Sequence, residues 1–458
     1  MKNMKRYSKQ LFATAFAVCL ALSSVACAKE DEPPTLPEYA KQDFVFYGWW
    51  SPYDFTEEAY TLYKESGLNT VMFVNHSVDT PTSDNLHYLG SNATLKSLQL
   101  CKKVGLQAIP NYGYWYKPMV EGEEFGTTPF TDYDLYEEYK DIIVGMHIAD
   151  EPSVYQMSDF GDDTLTADFK KAYDAPYVVN LYPSYASMNA IGLDGYRNYL
   201  QTYVDEIVMD FEEKNRLLSV DFYPFRNRSF HPSWLACYEE FAFAAKAAKG
   251  KQSYYIQTAI GNEFQDSLGV AEIAMQLNVA MAFGADWFGF YCYEMPRVYE
   301  GESYTPMYEC TMMNPDGTPS PLYYAVQSET ARLSAFSSAY LSYDWMKSVA
   351  VAGSEGQQIN QAFRYLSGAD FADTAISQVT ATKDTLVGCF NSDMGEAFML
   401  VNYGNPIEKE NSVIEMQFAK GEYVAVYGKD KEPQIVKLEE GKLSVELLTG
   451  EGCFVTLL

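Results

Sequence analysis

The stretch VGMHIADEPS (residues 144–153) closes an apolar run with His147, two adjacent carboxylates, Asp150 and Glu151, and then Pro152. Two arrangements fit that ending. Asp, Glu and Pro gather at helix N-termini, where acids meet the positive end of the helix dipole and a missing N–H costs nothing. The same residues at the rim of a barrel would aim an acid at a substrate. The rest of the chain narrows the chemistry by what it lacks. It has 4 His and no HExxH or GxSxG motif. Cys101, Cys237, Cys292, Cys310, Cys389 and Cys453 fall in no CxxC or Cys/His ligand spacing. The expectation is carboxylate chemistry with no cofactor and no catalytic metal, though surface acids could hold a structural calcium.

An acid at a rim needs elements to place it there. From residue 43, strand-like runs alternate with helical stretches: 43–50, 68–76, 106–115, 142–152, 175–185, 216–225, 252–260 and 285–296 read as strands. They are apolar on both faces, as parallel strands covered by helices are. Gly67, Gly105, Gly250 and Gly284 stand between a helical stretch and the next strand, where a helix C-terminus calls for a left-handed residue. Eight such units predict an α/β fold, a (β/α)8 TIM barrel, over 43–345. A doubly wound sheet would bring a glycine-rich phosphate loop after its first strand, and YGWWSPYDF has none. From 346 to 458, short strand-like runs separated by turn clusters such as NSDMGE and GKDKEP predict a C-terminal antiparallel β-sandwich domain.

In a barrel the C-terminal ends of all eight strands face one side, where active sites lie. Here those ends carry Trp49, His76, Tyr112, Asp150, Asn180, Tyr223, Gln257 and Tyr293, the candidate substrate-binding residues, together with Glu151, Asp221 and Glu294. Eight polar or aromatic endings together predict a polar, ring-lined pocket. For any single ring, Trp115 included, a place in the core is as good an account. Trp49 and Trp50 cannot both face inward on a straight strand, and a regular strand points His147 away from Asp150, as a buried, hydrogen-bonded histidine.

The chain opens with a basic start and a short apolar run ending SSVAC, a secretory signal over 1–26 of the bacterial lipoprotein kind, with Cys27 as the lipidated residue. Residues 27–42 would then tether the domain to a membrane. The net charge of -29 argues against nucleic acid, whose phosphates would be repelled. Aromatic residues make up 16% of the chain, with 38 Tyr, a surplus suited to sugar-stacking surfaces.

ADEPS (149–153), YVVNLYPSYA (177–186), LSVDFYP (218–224) and AFGADWFGFYCYEMP (282–296), in that order, resemble the TIM-barrel glycoside hydrolases of clan A, and a group of bacterial lipoprotein glycoside hydrolases more closely. The resemblance covers most of 43–458. It implies that Glu151, closing strand four, is the general acid/base, and that a Glu ending strand seven is the nucleophile. Strand seven here reads YYIQTAIGNEF, without a Glu at its end; Glu263 follows in the loop. Glycoside hydrolysis takes two carboxyls, one protonating the leaving oxygen and one attacking the anomeric carbon or activating water. Glu263, Glu294 and Asp221 are the candidates for the second. The expected function is an extracytoplasmic glycosidase acting on carbohydrate. The missing strand-seven Glu keeps open a non-catalytic glycan-binding lipoprotein, and a polysaccharide lyase is a third reading.

Overall fold

Eight short parallel strands make one sheet in a computed structural model of the chain: β1 (Val45–Gly48), β2 (Thr70–Met72), β3 (Gln107–Ile109), β4 (Met146–Asp150), β5 (Tyr177–Leu181), β6 (Leu217–Val220), β7 (Lys251–Gln257) and β8 (Trp287–Tyr291). Their order is β3-β2-β1-β8-β7-β6-β5-β4, and parallel bridges from Ala108 to Ile143 and Asn111 to His147 join the two edges into a closed barrel. The structure describes residues 33–73, 91–111, 137–161, 169–226, 229–261, 268–295, 297–300, 303–356, 370–406, 409–430 and 432–458. Pro37–Leu458 holds together as one unit. The helices between strands are α1 (Glu57–Glu65), α2 (Ser91–Val104), α3 (Val154–Gly161), α4 (Tyr196–Glu206), α5 (Trp234–Ala248) and α6 (Val270–Ala282), with α7 (Pro321–Ser334) after β8.

Local sequence explains where these elements begin and end. The Thr56 hydroxyl accepts the Ala59 N–H at the start of α1, with Glu57 and Glu58 in its first turn and Lys64 in its last. Gly67, Gly105 and Gly284 take left-handed conformations before β2, β3 and β8, as the helix-end rule requires. Before β7 the left-handed residue is Lys249 (φ +52) and not Gly250.

Alternate strand residues fill the barrel. Tyr47, Met72, Ile109, Val178, Leu217, Tyr255 and Trp287 form its inner cluster. The Tyr47 hydroxyl bonds the Ser253 hydroxyl at 2.8 Å, and its ring meets Tyr255 edge-on at 5.6 Å. Gly289 makes room for that ring, since a Cβ there would lie 2.7 Å from it.

Past α7 come β9 (Asp344–Val351), β10 (Ile376–Ala381), β11 (Thr385–Ser392), β12 (Gly395–Asn402), β13 (Ser412–Phe418), β14 (Tyr423–Tyr427), β15 (Gln434–Lys437), β16 (Lys442–Leu447) and β17 (Gly452–Leu457). They form two antiparallel sheets, ordered β9-β11-β12-β17-β14-β15 and β10-β13-β16. Val387, Phe398, Leu400, Ile414, Met416, Val445 and Val455 fill the space between them, making a sandwich. The outer face of the larger sheet lies on α6 through β11, β12 and β17. Every residue from Glu272 to Ala282 is therefore buried. An all-round apolar helix needs cover on all sides, and α6 has the barrel on one side and the sheet on the other. Its polar groups are matched: Asn278 donates to the Gly450 carbonyl at 2.9 Å and accepts from Arg332 at 2.8 Å. The Arg332 guanidinium also reaches the Gly428 and Gly452 carbonyls.

Close approach here depends on glycine. A Cβ on Gly388 would lie 2.4 Å from the Ala282 carbonyl oxygen, a backbone atom that cannot swing away. Gly388→Ala is expected to cost about 1–3 kcal/mol, read as a lower denaturation midpoint in urea. A midpoint equal to wild type would show that the sheet can shift on α6 freely.

The cysteines Cys101, Cys237, Cys292, Cys310, Cys389 and Cys453 are unpaired. Cys27 lies outside the described residues, and no described helix is long and apolar enough to cross a membrane.

Candidate active site

The turn out of β4 resolves the two arrangements that ADEPS allows. Helix α3 begins at Val154, and its start is served by Ser153 and Gln156: the Gln156 amide oxygen accepts the Ser153 N–H at 2.9 Å and its hydroxyl at 3.1 Å. This is the reciprocal half of a capping box. Asp150 and Glu151 are thus not needed as caps. The pairing of β4 with β5 matches His147 with Val178, then skips to match Ala149 with Val179 and Asp150 with Asn180. That irregularity turns both His147 and Asp150 onto the inner face, correcting the expectation that His147 points away. Bulges of this kind re-aim side chains beside active sites. His147 is buried against the Trp49 ring at 5.3 Å and faces the Asn111 side chain at 3.4 Å. Burial pushes its pKa down to about 3, so it is neutral.

Three acids meet at this end of the barrel. Asp150 ends β4, Glu151 follows it, and Asp221 follows β6 with its N–H on the Leu181 carbonyl. Asp221 is 6% exposed, whereas Asp150 and Glu151 are half-buried. Asn180, 2% exposed, donates its amide to Asp150 at 2.8 Å and also bonds Asp221, so one amide stands between two carboxyls. Glu151 sits in a left-handed conformation (φ +48), and its N–H donates to the Asn180 carbonyl at 2.7 Å. A side chain in that conformation is strained, and such strain persists only where the surroundings fix it. Tyr199 on α4 supplies part of that fixing. Its hydroxyl donates to the Pro152 carbonyl at 2.8 Å and accepts the Tyr182 N–H at 3.2 Å, tying the turn after β4 to the turn after β5.

Burial, and for two of the three the charge of a neighbouring acid, raises the proton affinity of these carboxyls. Burial pushes Asp150 up to about 6, with the Asn180 amide opposing. Burial and then the charge of Asp150 push Glu151 up to about 7. Asp221 is driven well above the usual carboxylate range by burial, then by Glu151 and Asp150. A cluster of this kind holds a shared proton near neutral pH, which is the condition in which one carboxyl gives a proton while another stays charged. Tyr182 is half-buried within the field of all three acids. Rings of Trp49, Tyr223 and Tyr291 form the floor, with Tyr223 and Tyr291 at 5.4 Å and Trp49 and Tyr291 at 6.5 Å.

The structure thus gathers Trp49, Asp150, Glu151, Asn180, Asp221 and Tyr223 from the sequence candidates. Trp49 and Trp50 both pack on the inner cluster, because β1 ends at Gly48 and Trp50 takes φ +64. Gln257 belongs elsewhere: it is 0% exposed, and its amide bonds the backbone of Phe225 through both its oxygen and its nitrogen. Tyr293 and Glu294 lie on the outer side. The Tyr293 ring is buried against Tyr63 of α1 at 4.6 Å. Glu294 lines a pocket with Asp54, Glu57 and Glu65 of the α1 region, and its charge reaches Tyr60, Cys292 and Tyr293. His76, Tyr112, Trp115 and Glu263 lie outside the described residues. Sequence reasoning passed over Tyr255, which is buried on the inner face against Tyr47; its alternation with Ser253 along β7 was the available signal. Among the described residues no group of three or more His, Cys, Asp and Glu is arranged to hold a metal ion.

No protein-family model and no curated protein sequence matches the chain. Solved structures do. A GH30 endoxylanase from Clostridium papyrosolvens C71 is 12% identical, with 92% of this chain and 98% of that one covered at a TM-score of 0.44. A family 39 glycoside hydrolase from Bacteroides cellulosilyticus WH2 is 11% identical over 93% and 83%, at 0.47. An alpha-amylase from Geobacillus thermoleovorans is 10% identical over 91% and 98%, at 0.47.

Proposed function

We propose that the chain is a glycoside hydrolase in which Glu151 protonates the leaving-group oxygen and Asp221 supplies the second carboxyl. The carrying observation is three carboxyls gathered around the Asn180 amide at the mouth of an aromatic-floored barrel. Glu151 is the more open of the pair and has the longer side chain, as a group that must reach a glycosidic oxygen requires. Asp221, deeper and fixed by Asn180, either attacks the anomeric carbon or activates water. Tyr182 and Tyr291 offer partly open ring faces to the sugar. Glu263 remains the alternative second carboxyl by resemblance.

The test is a panel of aryl glycosides and oligosaccharides, scored for release by wild type and by Glu151→Gln and Asp221→Asn. Turnover lost in both variants supports the pair. One observation favours a second reading. The place where the resemblance wants a nucleophilic Glu, the end of β7, holds Gln257 locked to the Phe225 backbone. Glycan binding without turnover across the whole panel would make the chain a binding protein.

A pH dependence follows from the neighbouring charges. The alkaline limb of kcat/KM should fall near the shared proton's loss, around pH 7, because Glu151 is pushed up to about 7. Asp150→Asn removes a negative neighbour, so the remaining acids release protons more easily and the limb moves to lower pH. An unmoved or higher limb, measured by initial rates from pH 4 to 9, counts against the coupling.

The setting is proposed to be extracytoplasmic, with a lipid on Cys27 holding the protein to a membrane. Cys27→Ala should move the protein from the membrane fraction to the soluble one; unchanged fractionation would remove Cys27 from the anchor.

A further inference from the structure

Hydrolysis of a glycoside takes two carboxyls, and this site has three. The third, Asp150, is costly: it is half-buried, adjacent to Glu151 and in the field of Asp221. No basic side chain among the described residues offsets any of the three; their hydrogen-bonding help comes from neutral groups, the Asn180 amide and, for Asp221, its own backbone N–H. The excess therefore has no counterpart within the described protein.

Two further atoms point to what is wanting. Asp221 Oδ1 and Asn180 Oδ1 are buried and have no hydrogen-bond partner. Both are acceptors. The Asn180 orientation is fixed, because turning its amide over would set an oxygen against two carboxyls. A buried acceptor without a donor loses its hydration for nothing. The site thus offers unmet acceptors and surplus negative charge together, and what satisfies both is a group rich in donors that carries positive charge. A uronate would add to the repulsion. A neutral sugar would bring hydroxyl donors but no charge.

Given a glycoside as the frame of the ligand, we propose that the sugar seated here bears a free ammonium group, paired with the carboxylate of Asp150. The ammonium has three donors and no acceptor, which suits an acceptor-only surrounding. The chain's overall charge of -29 draws such a cation toward the protein from solution.

The full chain carrying Glu151→Gln is titrated at pH 6 with glucosamine, galactosamine and mannosamine, each beside its parent neutral sugar and its N-acetyl derivative. Binding is read by calorimetry or ligand-observed NMR. The expected result is that at least one amine binds about tenfold or more tightly than both its partners. That preference should weaken with added salt and vanish on further substitution of Asp150→Asn, the amine then binding no more tightly than its neutral parent. Equal or weaker binding of all three amines overturns the inference. So does a preference that survives Asp150→Asn, or no binding by any amine up to about 10 mM. Failure of the hydrolase reading looks different: no aryl glycoside is cleaved by wild type, yet the amine preference is present. Conversely, cleavage of neutral glycosides without any amine preference keeps the hydrolase and removes the ammonium.

Discussion

Glu151→Gln is expected to lower kcat on an oligosaccharide or alkyl glycoside by about 10²–10⁴-fold, the usual contribution of a positioned proton donor. The amide keeps the shape and the half-buried position of the side chain but has no proton to give to a departing alkoxide. The loss should shrink on aryl glycosides as the phenol becomes more acidic, because a good leaving group departs with little help. A plot of log kcat against leaving-group pKa should be steeper for the variant than for wild type. A loss uniform across the series would pass the donor's role to Asp221. Wild-type turnover on a poor leaving group would take Glu151 out of the reaction altogether. The far-ultraviolet circular dichroism should be unchanged, since Ser153 and Gln156, not Glu151, serve the start of α3.

Asp221→Asn should act in opposite directions on activity and stability. Activity should fall by about 10³-fold or more, because half of the carboxyl pair is gone. Stability near pH 7.5 should rise. A carboxyl whose folded pKa is raised binds more protons in the folded than in the unfolded state, between the unfolded value near 4 and the folded one. There the unfolded-minus-folded proton difference is negative, so stability falls as pH climbs through the window. With Asp150 pushed up to about 6, Glu151 to about 7 and Asp221 well above the usual carboxylate range, the loss begins near pH 4 and runs up through these folded values. Removing one of the three acids should therefore raise stability at pH 7.5, and the gain should fade toward pH 4, where the acids that remain are protonated in the folded state. Thermal unfolding across pH 4–8 checks this. A variant less stable than wild type at pH 7.5 would mean that the Asp221 carboxylate is itself a structural partner. Stability given up at a site for chemistry is a common trade.

The barrel was legible because its signal is repeated: eight apolar runs with helical stretches between them, and glycines at the joints. The sandwich was legible from its turn clusters. The site was legible only where a strand continued as its pattern suggested. Asp150, Asn180, Asp221 and Tyr223 hold their expected side. Tyr293 does not: β8 stops at Tyr291 and the chain turns, so counting alternate residues past that point puts it on the wrong side. His147 and Asp150 share a face through an extra residue in β4, and nothing in MHIAD announces a bulge. Gln257 lies at the right end of the right strand, but its amide is taken by the Phe225 backbone, a contact set by tertiary approach. Trp50 turns inward through a left-handed backbone that few would assign to tryptophan.

Helix α6 has no water-facing side, and that shapes how this protein can come apart. Ile273, Met275, Leu277, Val279 and Met281 are each buried completely or nearly so, and side chains of this kind contribute roughly 1.5–3 kcal/mol apiece when fully covered. Sheet and barrel share that contribution, and the hydrogen bonds from Asn278 to the Gly450 carbonyl and from Arg332 to the Gly428 and Gly452 carbonyls cross the same seam. The sandwich is then a piece of the barrel's outer wall and not a module hung on a linker. Losing it would strip α6, and α6 holds β7 through Gln276 on the backbone N–H of Gln257. Unfolding is thereby coupled across the seam into one cooperative event, and a gene fragment ending near residue 345 encodes a barrel with one stave uncovered.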